Sequence, residues 1–120
     1  MATIRYIVRG VEESVEFYTK KLGFQTVEQF GAMAILAKGD LTLWLAGPQA
    51  SASRPMPDGS KPIPGGWNRL VIQMDDLAGT ITEMKEAGVA FRNDIVAGPG
   101  GQQILVEEPS GNVIELFQPK

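Results

Sequence analysis

A chain of 120 residues, 43% hydrophobic and 21% charged, is long enough to bury its own core and too apolar to remain disordered. Its net charge of -3 gives no overall pull toward nucleic acid or an anionic membrane surface. It has neither Cys nor His, which excludes disulfides, thiolate and imidazole metal ligands, and every Ser-His or Cys-His nucleophile arrangement.

Residues 3–9, TIRYIVR, place Ile4, Tyr6 and Val8 on one face and Thr3, Arg5 and Ile7 on the other, which predicts a strand with one strongly apolar side. An amphipathic helix is predicted next, with Val11, Val15, Tyr18 and Leu22 as its stripe, Glu12 and Glu13 in its first turn, Lys20 and Lys21 in its last, and Gly23 at its end. Three short strands follow over residues 25–30, 32–37 and 41–46, with Lys38-Gly39-Asp40 turning between the last two. Residues 47–66, GPQASASRPMPDGSKPIPGG, are dominated by Pro, Gly and Ser and read as a linker or surface loop, long enough to serve as a lid.

The pattern then begins again. Residues 68–74 predict a strand with Leu70, Ile72 and Met74 toward a helix and Arg69, Val71 and Gln73 on the opposite face. Asp75-Asp76 offers an N-cap, Leu77, Ile81 and Met84 form the helix stripe, and Gly88 closes it. Strands are predicted over 91–96, 102–107 and 112–117, with Glu108-Pro109-Ser110-Gly111 as a turn. Gly98-Pro99-Gly100-Gly101 lacks the Lys-Ser/Thr of a phosphate loop and opens a strand, so it reads as a turn. Val11, Val15 and Tyr18 align with Leu77, Ile81 and Met84 at a constant offset of 66 residues. Each half is therefore β-α-β-β-β. The predicted fold is α+β, one domain over 1–120 with module one at 2–48, a linker at 49–66 and module two at 67–119. The opening MATIRY lacks the basic and apolar segments of a secretory leader, and the longest apolar run is 33–37, which predicts a cytoplasmic protein without a membrane segment.

Three stretches in order resemble the vicinal oxygen chelate superfamily, which includes glyoxalase I, bleomycin resistance proteins and extradiol dioxygenases. They are SVEFYTKKLGF, residues 75–89 from Asp75-Asp76-Leu77 to Ala87-Gly88-Val89, and the closing hairpin Glu108-Pro109-Ser110-Gly111-Asn112-Val113-Ile114-Glu115-Leu116. The resemblance implies two modules forming a curved, half-open sheet around a small-molecule cavity, and a homodimer. Its enzymes hold a divalent metal with four side chains, from the first and last strands of each module. Carried onto this sequence, those positions are Thr3, Leu43 or Trp44, Arg69 and Glu115. One carboxylate and one cation are not a ligand set for a transition metal or for an all-oxygen site. No metal and no cofactor is therefore expected, and Arg69 and Glu115 are expected to pair instead.

The resulting candidate ligand-binding residues are Arg5, Trp44, Arg69, Gln73, Glu115 and Phe117, a mix of apolar wall and few polar anchors suited to a small molecule. Trp44 has two readings, a stacking wall for a planar ligand or a core residue under the helix, and its bulk favours the core. Trp67, at the end of the Pro-rich stretch, reads as an anchor for it or a subunit contact. The expected function is metal-independent binding of a small organic molecule such as an antibiotic. The alternative is a metal-free isomerase or lyase with Glu115 as its only catalytic candidate, acting as general base.

Overall fold

The computed structural model describes residues 2–120, and the chain divides into two compact units, one running to Gly65 and one from Gly66 to Lys120. In the first, β1 (Ile4–Ile7), α1 (Val11–Leu22), β2 (Gln25–Gln29), β3 (Met33–Lys38) and β4 (Leu41–Ala46) form a four-stranded sheet in the order β1-β4-β3-β2. The pair β1–β4 is parallel; β2–β3 and β3–β4 are antiparallel. Leu36, Leu43 and Leu45 are fully buried on one face of this sheet, the face shared with Ala34 and covered by α1. From the helix, Val11, Val15, Tyr18 and Leu22 are buried as the periodicity predicts, joined by Ser14 and Phe17. The Tyr18 ring meets Phe17 and Phe24 edge-on, at 5.6 and 5.5 Å between centroids, fixing the helix exit against the sheet. Gly23 ends α1 at φ 74, the left-handed conformation in which a Cβ is penalised. Ile4 lies on the helix side, opposite Leu43, yet stays 39% exposed because β1 is the sheet edge.

The second unit repeats this plan. Strand β5 (Arg69–Gln73) is followed by α2 (Leu77–Glu86), β6 (Ala90–Phe91), β7 (Val96–Gly98), β8 (Gly101–Glu107) and β9 (Val113–Pro119). The sheet order β5-β9-β8-β6 matches that of the first unit, with a parallel β5–β9 pair, and β7 also pairs with β8. Helix α2 is capped by Asp76, whose Oδ1 accepts from the Gly79 N–H at 3.0 Å, and it buries Leu77, Ile81 and Met84. Leu70, Ile72, Ile104, Val106, Ile114 and Leu116 are buried on the helix-facing side of the sheet. The helix ends at Glu86, and Gly88 adopts φ 81 just past the cap at Ala87.

Two expectations change. Residues 91–96 are not one strand: the segment breaks into β6 and β7, because the Asn93 side chain accepts the Leu105 N–H at 2.9 Å where a strand carbonyl would. The stretch 47–66 is not featureless either. It holds a 3₁₀ turn at Ser51–Ser53, and the buried Ser53 hydroxyl donates to the Gly47 carbonyl at 2.7 Å. Further on, Met56 N–H bonds to Ser60 O and Gly59 N–H to Met56 O. The Ser60 hydroxyl and N–H hold the Asp58 carboxyl below the usual carboxylate range. Among the described residues no helix is long and apolar enough to cross a membrane.

Candidate functional site

Strand register decides which side chains leave the helix side. In the first unit Arg5 is opposite Trp44, and Ile35 is opposite Trp44 from the other flank. Since Leu43 and Leu45 face α1, Trp44 points to the helix-free face, and the reading of Trp44 as a core residue under the helix is corrected. The reason is the period of two: β4 already fills its helix side with two leucines, so the residue between them must turn away. Arg5 follows it there, its guanidinium carbon 4.9 Å from the Trp44 ring centroid.

In the second unit Val71 is opposite Glu115 and Gln73 is opposite Phe117 across β5–β9, while Leu105 and Gln103 face the same two residues across β8–β9. The helix-free face therefore carries Arg69, Val71, Gln73, Gln103, Leu105, Glu107, Val113, Glu115 and Phe117. Val71 is 52% exposed on it, whereas Glu115 is 8% exposed. Arg69 Nε donates to Glu115 Oε1 at 3.1 Å, and Arg69 Nη2 lies 3.1 Å from the same oxygen. Charge on both partners and the low exposure of Glu115 make this a strong contact. The expected ion pair is present.

The remaining cation of this region is also engaged. Arg92 Nε donates to Glu107 at 3.0 Å, Nη1 to the Gly66 carbonyl at 2.8 Å, and Nη2 to the Gly111 carbonyl at 3.1 Å. Its guanidinium carbon lies 4.6 Å from the Trp67 ring centroid. Trp67, 69% exposed, thus lies against an arginine that the sequence did not single out. The fully buried side chain of Glu108 serves the hairpin turn, accepting from the Ser110 and Asn112 N–H groups at 2.7 and 3.0 Å.

The structure brings Arg5 and Trp44 together in the first unit, and groups Arg69, Gln73, Glu115 and Phe117 in the second. Gln103, Leu105 and Glu107 were missed. Alternation along β8, read as it was along β5, would have placed all three on that face. Also unforeseen is a depression of about 170 Å³ in the first unit, lined by Arg9, Pro48, Ser53, Lys61 and neighbouring apolar residues, for which the Pro-rich sequence gave no sign.

The four positions where the resemblance implies a metal can now be assigned. Trp44 faces Arg5 as Glu115 faces Val71, and Arg5 and Val71 are one offset of 66 residues apart. Trp44, not Leu43, is therefore the counterpart of Glu115. An indole, the hydroxyl of Thr3 and a guanidinium supply no anionic donor, and Glu115 Oε1 is occupied by Arg69. These residues do not fit a divalent cation. Among the described residues no group of three or more His, Cys, Asp and Glu side chains is placed to hold one.

Two units that share one strand order, apart from the additional β7 of the second, and whose sheets are each backed by one helix, define a duplicated α+β protein with its polar chemistry on the helix-free faces. The chain belongs to the Glyoxalase/Bleomycin resistance protein/Dioxygenase superfamily, whose profile matches residues 1–116. Similar solved structures share this fold. TnmS3, an antibiotic binding protein from Streptomyces sp. CB03234, is 28% identical with a TM-score of 0.69, over 100% of this chain and 97% of its own. The fosfomycin resistance protein FosX from Listeria monocytogenes is 12% identical with a TM-score of 0.76, over 100% and 93%. Lactoylglutathione lyase from Agrobacterium tumefaciens is 18% identical with a TM-score of 0.75, over 98% and 92%. No curated protein sequence matches the chain.

Proposed function

We propose that this protein binds a small organic molecule, such as an antibiotic, without a metal, and sequesters it on the helix-free sheet faces. Arg5, Trp44, Arg69, Gln73, Glu115 and Phe117 are the contact residues in this reading. The observation that carries it is the Arg69–Glu115 pair: the one carboxylate at the four metal positions is committed to a guanidinium at 3.1 Å. The apolar side chains around the pair add support, since small-ligand sites combine apolar walls with few polar groups. The similarity to an antibiotic binding protein at 28% identity points the same way. A cytoplasmic homodimer completes the proposal, with neither nucleic acid nor membrane as partner.

Two measurements test it. Elemental analysis of the purified protein should find well under one equivalent of any divalent metal, and a stoichiometric metal would overturn metal independence. A thermal-shift screen of aromatic and glycopeptide antibiotics should yield at least one stabilising compound, since ligand at 100 times its Kd adds about 2.7 kcal/mol. The competing reading, an isomerase or lyase with Glu115 as general base, requires turnover that Glu115→Gln abolishes while binding persists.

A further inference from the structure

The Arg69–Glu115 pair is lopsided. Nε and Nη2 of Arg69 both converge on Oε1, in place of the two-oxygen fork that a guanidinium and a carboxylate can form. Among the described residues the donors on the Glu115 carboxylate are those of Arg69, both at Oε1; the side chain keeps 10% of its exposure, and Oε2 is not among the buried oxygens left without a partner. A charged acceptor with spare capacity and some access to the surface is a place where a hydrogen-bond donor gains affinity.

The charges around it narrow the choice further. On the helix-free face of the second unit the charged residues are Arg69, Glu107 and Glu115, and the acids are paired with Arg92 and Arg69 respectively. Each positive charge there is matched by a carboxylate at 3.0 or 3.1 Å, so an incoming anion meets no uncompensated cation. Val71, 52% exposed, and the partly exposed Phe117 flank Glu115 and Gln73 and offer apolar surface, while Leu105 opposite Glu115 is buried.

Resting on the binding reading above, we infer that Glu115 sets the ligand class: it silences Arg69 and presents Oε2 to an N–H or O–H of an uncharged, largely apolar molecule. Anionic ligands are rejected from this face by the same carboxylate. Glu115 is thus a specificity residue as well as a contact.

The test uses three naphthalenes of one shape on the full-length protein: 2-naphthamide, which offers an N–H; 2-acetylnaphthalene, which replaces that N–H by a methyl group; and 2-naphthoate, an anion. Titration calorimetry should rank the amide about tenfold above the ketone and about tenfold or more above the naphthoate. In Glu115→Gln, with folding checked by its melting temperature, the naphthoate should overtake the amide as Arg69 is released. If 2-naphthoate binds the unmodified protein as tightly as the amide, or the ketone equals the amide, the inference fails and the binding reading stands. If none of the three binds up to about 1 mM, a range in which millimolar Kd values are measurable, the inference fails, and the antibiotic screen above decides the binding reading. The series on the unmodified protein decides the matter even if Glu115→Gln does not fold.

Discussion

Trp44 and Glu115 occupy the same place in the two units, each in the closing strand, each turned from the helix, and each opposite a first-strand residue, Arg5 or Val71. Their chemistry could hardly differ more. One unit has an indole under an arginine, and the other a carboxylate bonded by an arginine two residues before its cross-strand neighbour. The duplication keeps the geometry and lets the two faces diverge.

The Arg5 guanidinium over Trp44 is an exposed cation–π contact, so Arg5→Ala should cost only about 0.5–1 kcal/mol of stability. In a Trp67→Phe background, Trp44 becomes the single indole, and its fluorescence should change on the same substitution. An unchanged emission spectrum would show that the ring and the guanidinium do not meet in solution.

Arg69 and Glu115 should be strongly coupled. Arg69→Ala leaves a largely buried carboxylate without its partner, and the loss should be about 1–3 kcal/mol, below the range for fully buried pairs because Arg69 is partly exposed. A double-mutant cycle with Glu115→Ala, read by urea unfolding, should recover most of that loss as interaction energy. Additive single effects would contradict the geometry.

Arg92 ties the start of the second unit to its closing hairpin through Gly66, Gly111, Glu107 and Trp67. Arg92→Ala should cost about 2 kcal/mol or more and accelerate amide exchange near the 108–112 turn. Arg92→Lys should rescue little, because an ammonium cannot reach several acceptors through a planar fork.

Gly101 admits no side chain. A Cβ there would fall on the Gln118 carbonyl oxygen and within 2.9 Å of the Pro119 Cα, both backbone. Gly101→Ala should therefore destabilise the β8–β9 pair by about 1–3 kcal/mol, measured by thermal or urea unfolding. A neutral result would mean that the strand ends separate freely.

The duplicated order of elements was legible because helix stripes such as Val11, Val15, Tyr18 and Leu22 report burial directly. The Arg69–Glu115 pair was legible for a related reason: alternation in β5 and β9 puts both on one face, and opposite charges on adjacent strands attract. Trp44 was misjudged because size suggests burial, whereas its two leucine neighbours had already taken the helix side. The break at Asn93 was hidden because one side-chain amide replaces a strand carbonyl, which no periodicity reveals. Arg92 was invisible for another reason. Two of its partners are backbone carbonyls, and carbonyls carry no sequence signature.

The parallel pairing of β5 with β9 joins the first strand of its unit to the last, across everything between. The β8–β9 hairpin can form from neighbouring chain, but β5 must wait for it and then close a long loop, the slow kind of step in folding. The ion pair lies across that late seam. Glu115→Ala and Arg69→Ala should therefore speed unfolding in a denaturant chevron while leaving the refolding limb nearly unmoved. The pair proposed to choose the ligand would then also set how long the second unit stays folded.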